Sequence, residues 1–290
     1  MKKKILVMGV GFLGKNIMRE FQNKNYEVIG TTLSKNESNL LKIDITSKEQ
    51  LGIIFKLKPQ LVINCVAKTD IDYLEKNQDD AFAVNSFAIK NLADVCNKEN
   101  IRLIHLSTDS VFDGRKGNYK EDDIPNPRNV YAKSKLEGEK IIEKICKNYV
   151  IIRTNFYGID GKQKFLFEKI YHQLSNSEEI IGFIDVIFSP LEVTNLSKMI
   201  LDVSESDYVG RLHLSSDEFF SKYHFCKSIA KIFGFDENLI KKGSIDEFKF
   251  VAKRPKNTSL NNEEAKKIIK TKITKFEDWL TFLKKSKVEI

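Results

Sequence analysis

Tyr131 and Lys135 stand four residues apart in the run Tyr131-Ala132-Lys133-Ser134-Lys135. On a helix, positions i and i+4 share a face, so the phenol and the ammonium converge. An ammonium beside a phenol stabilises the phenolate and lowers the tyrosine pKa. Such a phenol can exchange a proton near neutrality. Earlier in the chain, Ser107-Thr108-Asp109 follows the apolar run Ile101 to Leu106. If that run is a strand of a parallel sheet, the triplet lies at the carboxyl edge, where such sheets bind ligands. A hydroxyl there could hold the oxygen that Tyr131 protonates. Thr108 and Ser107 are the two candidates.

A second group of residues points to a dinucleotide. Gly9-Val10-Gly11-Phe12-Leu13-Gly14 follows the apolar run Ile5 to Met8 and precedes a helical pattern from Lys15. This is the strand–loop–helix context of a dinucleotide fingerprint. Gly9 permits the turn, Gly11 lets the backbone approach a pyrophosphate, and Gly14 lets the helix pack on its strand. The helix N-terminus faces the phosphates with its partial positive charge, and Phe12 and Leu13 within the loop are taken as cofactor-binding with the glycines. An acid closing the next strand would read the ribose hydroxyls of NAD. The residues there are Gly30-Thr31-Thr32-Leu33-Ser34-Lys35. Thr31, Thr32, Ser34 and Lys35 suit a 2′-phosphate, so NADP(H) is favoured over NAD(H). Asp44-Ile45, closing a third strand, either faces the adenine or caps the helix that begins near Ser47.

These residues need a scaffold, and the patterning supplies one. Strand signals at Ile5 to Met8, Tyr26 to Gly30, Leu40 to Ile45, Leu61 to Val66, Ile101 to Leu106 and Tyr149 to Arg153 alternate with helical patterns. The helices are expected at Lys15 to Asn25, Ser47 to Leu57, Asp79 to Asn100 and Asn129 to Lys147. Continuous apolar strands separated by helices indicate an α/β fold with a doubly wound parallel sheet, covered on both faces. Residues 1–154 form the dinucleotide-binding Rossmann domain, with a return around 186–212. Residues 155–290 form mostly a smaller, interleaved α/β substrate-binding region. Its expected elements are helices at Phe165 to Asn176, Val193 to Val203 and Ser221 to Gly234, a strand and turn over Ile180 to Phe188, and a strand at Gly210 to Leu214. Phe219, Phe220, Tyr223, Phe225, Phe233 and Phe235 read as core of that region.

Composition removes other classes. The chain has 290 residues and a formal net charge of +8. Its basic residues are interspersed with acids, which argues against nucleic-acid binding. No apolar run nears the roughly 20 residues that span a bilayer. Lys2-Lys3-Lys4 and the apolar stretch after it imitate a signal peptide, but glycines interrupt the stretch and no cleavage site follows. Cys65, Cys96, Cys146 and Cys226 are widely spaced, as expected of reduced thiols in a cytoplasm. His105, His172, His213 and His224 are scattered, so no metal site is expected. His105 and His213 read as packed strand residues, and Asn85 as either the support of a water near the lysine or a capping residue.

Taken together, Gly9 to Gly14, Asn64-Cys65-Val66-Ala67, Ser107 to Gly114, Tyr119 to Asp123, Val130 to Lys140 and Arg254-Pro255-Lys256-Asn257-Thr258-Ser259-Leu260 resemble the extended short-chain dehydrogenase/reductases. More narrowly, they resemble the dTDP-4-dehydrorhamnose reductase family. The segments occur in the family's order over nearly the whole chain. The resemblance implies reduction of the C4 ketone of a nucleotide-linked 4-keto-6-deoxyhexose, in cell-surface polysaccharide biosynthesis. It makes Tyr131 the proton donor, Lys135 the holder of the nicotinamide ribose, and Thr108, rather than Ser107, the hydrogen-bond donor to the developing alkoxide. It places Val66 and Ala67 on the cofactor, Asp109 and Phe156 near the sugar and Arg254 on the diphosphate, and it implies a homodimer. The chain departs from the family at Met8, Lys68, Phe156 and Asp185 to Leu191, mostly around the expected substrate pocket. Two alternatives remain: an epimerase, dehydratase or epimerase-reductase of the same superfamily, and a non-catalytic NADP-binding regulatory subunit like the β subunit of methionine adenosyltransferase. Asp109-Ser110 after Thr108 lacks the Asp-Glu pair of a 4,6-dehydratase.

Overall fold

The computed structural model describes residues 2–33, 39–162 and 165–286. Strand β1 (Lys4–Met8) leads through the glycine loop into helix α1 (Phe12–Asn23) and then β2 (Glu27–Thr32). Next come β3 (Leu41–Lys42), α2 (Lys48–Leu51), α3 (Ile53–Leu57) and β4 (Leu61–Asn64). After them lie α4 (Ile71–Lys76), α5 (Gln78–Phe82), a π turn at Ala83–Phe87, α6 (Ala88–Lys98), β5 (Arg102–Thr108), α7 (Val130–Ile145) and β6 (Tyr149–Thr154). The second half supplies β7 (Phe156–Tyr157), α8 (Leu166–Ser175), β8 (Ile180–Phe183), β9 (Ile187–Phe188), β10 (Leu191–Glu192), α9 (Val193–Ser204) and β11 (Gly210–His213). It ends with β12 (Phe220–Ser221), α10 (Lys222–Phe233), β13 (Ile240–Gly243), α11 (Glu263–Lys266) and α12 (Phe276–Ser286).

Seven strands form one sheet in the order β11-β6-β5-β4-β1-β2-β3, every pairing parallel. Side chains alternate across it. Ile5 and Val7 join α1 and α9 in one apolar core, whereas Leu6 and Met8 join α3, α6 and α7 in another. Burial on both faces explains why the strands read as unbroken apolar runs. β11 and α9, from the second half of the chain, complete this sheet and its cover. The strand expected over Leu40 to Ile45 shrinks to two residues at the sheet edge.

A third core belongs to the smaller region, where Phe225 stacks on Phe276 with centroids 4.3 Å apart. Phe220, Tyr223, Phe233 and Phe235 pack partly against it. Phe219 does not: it is 63% exposed, because it precedes the short strand β12 and points away from the core. The long helix expected over Asp79 to Asn100 is broken by the π turn. Within that turn, buried Asn85 donates to Lys68 O (3.1 Å) and Ser134 Oγ (3.0 Å) and accepts from Lys68 N–H (3.0 Å). The widened turn thereby ties the loop after β4 to α7, and Asn85 serves as a structural clasp.

Candidate active site

Tyr131 and Lys135 occupy the first turns of α7. Asn129 caps that helix by accepting from Ala132 N–H at 2.9 Å and reaches across to Lys253 O at 2.9 Å. Helix α7 is thus anchored to the segment just before Arg254. Thr108 ends β5, the strand beside β6, and is 7% exposed. Its hydroxyl accepts from Ser110 N–H at 3.1 Å and donates to Asp109 Oδ1 at 3.1 Å. Ser107 is committed elsewhere, since its hydroxyl donates to buried Glu139. Glu139 also takes the Arg153 guanidinium at 2.7 Å, each side chain being 1% exposed.

The electrostatics differ from the spacing-based expectation. Burial pushes the Tyr131 phenol up to about 12; the Thr108 hydroxyl opposes this and the Asp109 charge adds to it. Lys135 does not lower it, because its ammonium is turned into the fold. Nζ donates to Leu106 O at 2.7 Å and lies 3.2 Å from His105 Nε2. Spacing of i and i+4 brings the two residues to one face but does not say where a four-carbon stem ends. Burial lowers Lys135 to about 8. His105 is held well below its ordinary value by burial and then by the Lys135 charge. The tautomer follows from Asn64. Its Oδ1 accepts from Val66 N–H at 3.1 Å, so its amide nitrogen faces His105 Nδ1 at 3.0 Å as a donor. Nδ1 is then the acceptor, and the ring proton on Nε2 is aimed at Lys135.

Asp109 is 2% exposed and fully engaged. Oδ1 accepts from Thr108 and Ser110 (3.2 Å), and Oδ2 from Asn155 (3.1 Å) and Thr258 (2.8 Å). It knots together β5, the end of β6 and the 254–260 segment. That segment also runs between the 114–119 loop and β9, with Asn257 N–H on Gly114 O and Thr258 N–H on Ile187 O, both 2.9 Å. Asp109, Asn155, Thr258, Lys222 and Arg254 line a cavity of about 400 Å³. Arg254 also borders an adjoining basic cavity of about 830 Å³ with Arg115, Arg128, Lys249, Lys253 and Lys256. One Arg254 nitrogen donates to Asp72 at 2.7 Å, while its buried Nη1 has no partner among the described residues. An anion would satisfy it. Phe156 does not line the 400 Å³ cavity. Its ring packs near Phe12 and Phe165, with the Phe12 centroid 6.2 Å away.

The glycine loop fits a dinucleotide diphosphate. Gly9 has φ +80°, and a side chain there would meet Val66 Cγ2 at 2.8 Å. A Cβ on Gly14 would lie 2.5 Å from Gly9 O. At Gly11, the N-cap of α1, a Cβ would meet nothing within 4 Å, and no side chain caps the helix. The space beside Gly11 at the start of α1 is therefore open, which leaves room for an anion at the helix N-terminus. Leu13 is buried and can contribute only backbone; the Phe12 ring stacks 4.4 Å from Phe165. Thr31 Oγ1 accepts from Gly9 N–H at 3.3 Å, so it braces the loop. Thr32 is half-buried beside it, as are Val66 and Ala67 past β4. Asp44 Oδ1 accepts from Thr46 N–H at 2.8 Å, whereas the cap of α2 is Ser47; Ile45 is buried. Ser34 and Lys35 lie outside the described residues.

Sequence reasoning missed Lys222, Asn155, Thr258 and the Asn64–His105 pair. Only Lys222 carried a local signal, a lone cation within Phe219-Phe220-Ser221-Lys222-Tyr223. No group of three or more His, Cys, Asp or Glu able to hold a metal ion, and no helix long and apolar enough to cross a membrane, occurs among the described residues.

The RmlD substrate binding domain family model matches residues 3–287. A dTDP-4-dehydrorhamnose reductase of Aggregatibacter actinomycetemcomitans is 30% identical over 280 residues, covering 89% of this chain and 90% of the relative. Methionine adenosyltransferase 2 subunit beta of Bos taurus is 28% identical over 273 residues, covering 89% and 80%. The crystal structure of dTDP-4-dehydrorhamnose reductase from Bacillus anthracis in complex with NADP superposes with a TM-score of 0.88 at 27% identity, covering 97% of this chain and 98% of that one. The chain belongs to the RmlD substrate binding domain family and has the Rossmann-type fold of the dTDP-4-dehydrorhamnose reductases.

Proposed function

We propose that the protein is an NADPH-dependent reductase of the C4 ketone of a nucleotide-linked 4-keto-6-deoxyhexose, acting in cell-surface polysaccharide biosynthesis. The observation that carries this reading is the junction at the sheet's carboxyl edge. There Thr108 and protonated Tyr131 adjoin Asp109, which borders a cavity shared with the half-paired Arg254. The family resemblance agrees with it, and so does the NADP in the structural relative. In this reading residues 1–154 mainly hold the cofactor and residues 155–290 mainly hold the substrate.

Bound NADPH supplies the hydride. Tyr131, kept protonated by its surroundings, carries the proton that the C4 oxygen needs. Thr108 turns its hydroxyl proton from Asp109 Oδ1 to the same oxygen as charge develops on it. Lys135 exchanges its Leu106 carbonyl for the nicotinamide ribose. Gly9 to Gly14 and the start of α1 hold the cofactor diphosphate, and Thr31 keeps that loop in place. Thr32, Ser34 and Lys35 are assigned to the 2′-phosphate, Asp44 and Ile45 to the adenine end, and Val66 and Ala67 to the run between. Arg254 takes the diphosphate of the sugar nucleotide. Asp109 orders the sugar pocket by fixing Thr108, Asn155 and Thr258. Phe156 is assigned to the border between cofactor and sugar.

The four cysteines are free thiols, which supports the proposed cytoplasmic location. A homodimer completes the proposal. An epimerase-reductase would need a further acid–base pair. Burial pushes the Cys65 thiol up to about 12, and Lys68 is paired with Asp80, so neither is a ready base. The regulatory reading is favoured by one observation, the likeness to the methionine adenosyltransferase subunit.

The test follows NADPH oxidation with dTDP-, GDP-, UDP- and CDP-linked 4-keto-6-deoxyhexoses, beside a Tyr131→Phe variant. Turnover that the variant loses supports the reductase and identifies the nucleotide. Protein that binds NADPH but turns over none of the sugars overturns it.

A further inference from the structure

Lys222 is the first residue of α10, directly after its cap Ser221. Its ammonium lies over the Phe188 ring, 3.4 Å from the centroid, and it borders the same 400 Å³ cavity as Asp109, Asn155 and Thr258. Among the described residues it makes no hydrogen bond and no ion pair, although Asp109 acts on it through its charge. Asp109 cannot supply an acceptor cheaply. Both of its oxygens already take two donors each.

The cavity therefore holds a cation whose N–H groups lack an oxygen, beside a carboxylate whose acceptor sites are in use. The bland explanation is a stem that packs along apolar surface with its head resting on a ring. A cation–π contact contributes about 0.5–2 kcal/mol. It leaves the three N–H groups of the half-buried side chain free to meet an oxygen in the cavity. Burial lowers Lys222 to about 7, with the Asp109 charge opposing the shift.

Position indicates which part of a ligand would answer it. The diphosphate end of the cavity belongs to Arg254, which also opens on the basic cavity outside. Lys222 stands with Asp109, and Asp109 follows Thr108, the donor assigned to the reacting oxygen. On the nucleotide-sugar reading above, we infer that Lys222 is a specificity-determining residue that donates hydrogen bonds to oxygens of the substrate's hexose ring. Sugars presenting an oxygen to that ammonium are selected over those deoxygenated at the same position. A polar site left unpaired by the wrong substrate is what gives such discrimination.

The experiment separates sugar from nucleotide. Equilibrium binding of dTDP-glucose and of dTDP to the full-length, NADP-loaded protein is compared between the natural chain and Lys222→Met, which keeps the stem and its packing on Phe188. The expected result is about 10-fold weaker dTDP-glucose binding with dTDP binding changed less than about 2-fold. Lys222→Arg should restore part of the sugar increment. With a keto-sugar substrate, Lys222→Met should raise KM about 10-fold and leave kcat within about 3-fold. Equal weakening of dTDP-glucose and dTDP would make Lys222 a phosphate contact and overturn the inference. Unchanged binding of both would make it a packing residue and overturn it too. If the natural chain gains nothing from the sugar over the bare nucleoside diphosphate with dTDP, GDP, UDP or CDP, the nucleotide-sugar reading fails and this inference falls with it. If the natural chain gains and Lys222→Met gains equally, only the inference fails.

Discussion

Lys135 Nζ lies 3.2 Å from His105 Nε2, and the Asn64 amide behind the ring places the imidazole proton on that same nitrogen. Two donors facing one another favour the uncharged amine. Burial lowers this lysine to about 8 from its ordinary 10.5, with the Glu139 charge opposing the shift. The folded chain thus binds fewer protons than the unfolded chain between those two pH values. Stability must rise with pH across that window. Below pH 8 the full cost applies, about 3 kcal/mol from the size of the shift.

Lys135→Met removes that cost together with the bond to Leu106 O, worth about 1 kcal/mol. The variant should be more stable than the natural chain by ~2 kcal/mol at pH 7, the advantage fading towards pH 10.5, while turnover is lost. Urea unfolding at a series of pH values checks this. A variant that is less stable at pH 7 would show that Lys135 is well solvated.

Glu139 and Arg153 should behave in the opposite way. They are closely paired, with Nη2–Oε2 at 2.7 Å and both Nε–Oε contacts at 3.2 Å; the guanidinium carbon lies 5.1 Å from the Phe112 centroid, and Nη1 has no hydrogen-bond partner among the described residues. Glu139→Leu leaves Arg153 charged and buried, and also strips Ser107 of its acceptor. Breaking one side of such a pair costs about 3–5 kcal/mol. A corresponding fall in the urea midpoint is expected, and a fall of under about 1 kcal/mol would mean water reaches Arg153.

Gly11 and Gly14 share a motif but should fail differently. At Gly14 a methyl would collide with the Gly9 carbonyl, so Gly14→Ala should disrupt the loop and lower thermal stability. At Gly11 a methyl meets only open space, so Gly11→Ala should fold normally. It should instead bind NADPH at least about 10-fold more weakly, because the methyl occupies the approach of the pyrophosphate. Melting curves and fluorescence titration with NADPH separate the two. Normal NADPH affinity in Gly11→Ala would place the diphosphate elsewhere.

How much of this was legible in the chain depends on how local each feature is. β1, β4, β5 and β6 were readable because burial on both faces makes a parallel strand a continuous apolar run. The glycine loop was readable because its demands fall within six consecutive residues. The α5–π–α6 break was not, since Asn85 widens that turn for partners on the loop after β4 and on α7. The saturation of Asp109 depends on Asn155 and Thr258, which only the folded chain brings to it. The direction of the Tyr131 shift depends on where the Lys135 stem ends, a matter of packing against Leu106 and His105. The surroundings of Lys222, with the Phe188 ring beneath its ammonium and the cavity beside it, come from segments distant in sequence.

Tyr131 itself gives the sharpest chemical test. Burial raises this phenol to about 12, so it holds its proton throughout the neutral range, although as a weaker acid than an ordinary tyrosine. Tyr131→Phe keeps the ring and its packing and removes only that proton. General acid catalysis contributes about 10²–10⁴-fold, so kcat for keto-sugar reduction should fall by that factor, with NADPH affinity within about 2-fold. Thr108→Val removes the other donor to the same oxygen and should cost a comparable 10²–10³-fold, about the effect of deleting one oxyanion donor. Because both act on one atom, the double variant should lose less than the product of the single losses. Stopped-flow measurement of NADPH oxidation in the three variants checks the argument. Fully multiplicative losses would place Thr108 and Tyr131 on different oxygens of the substrate.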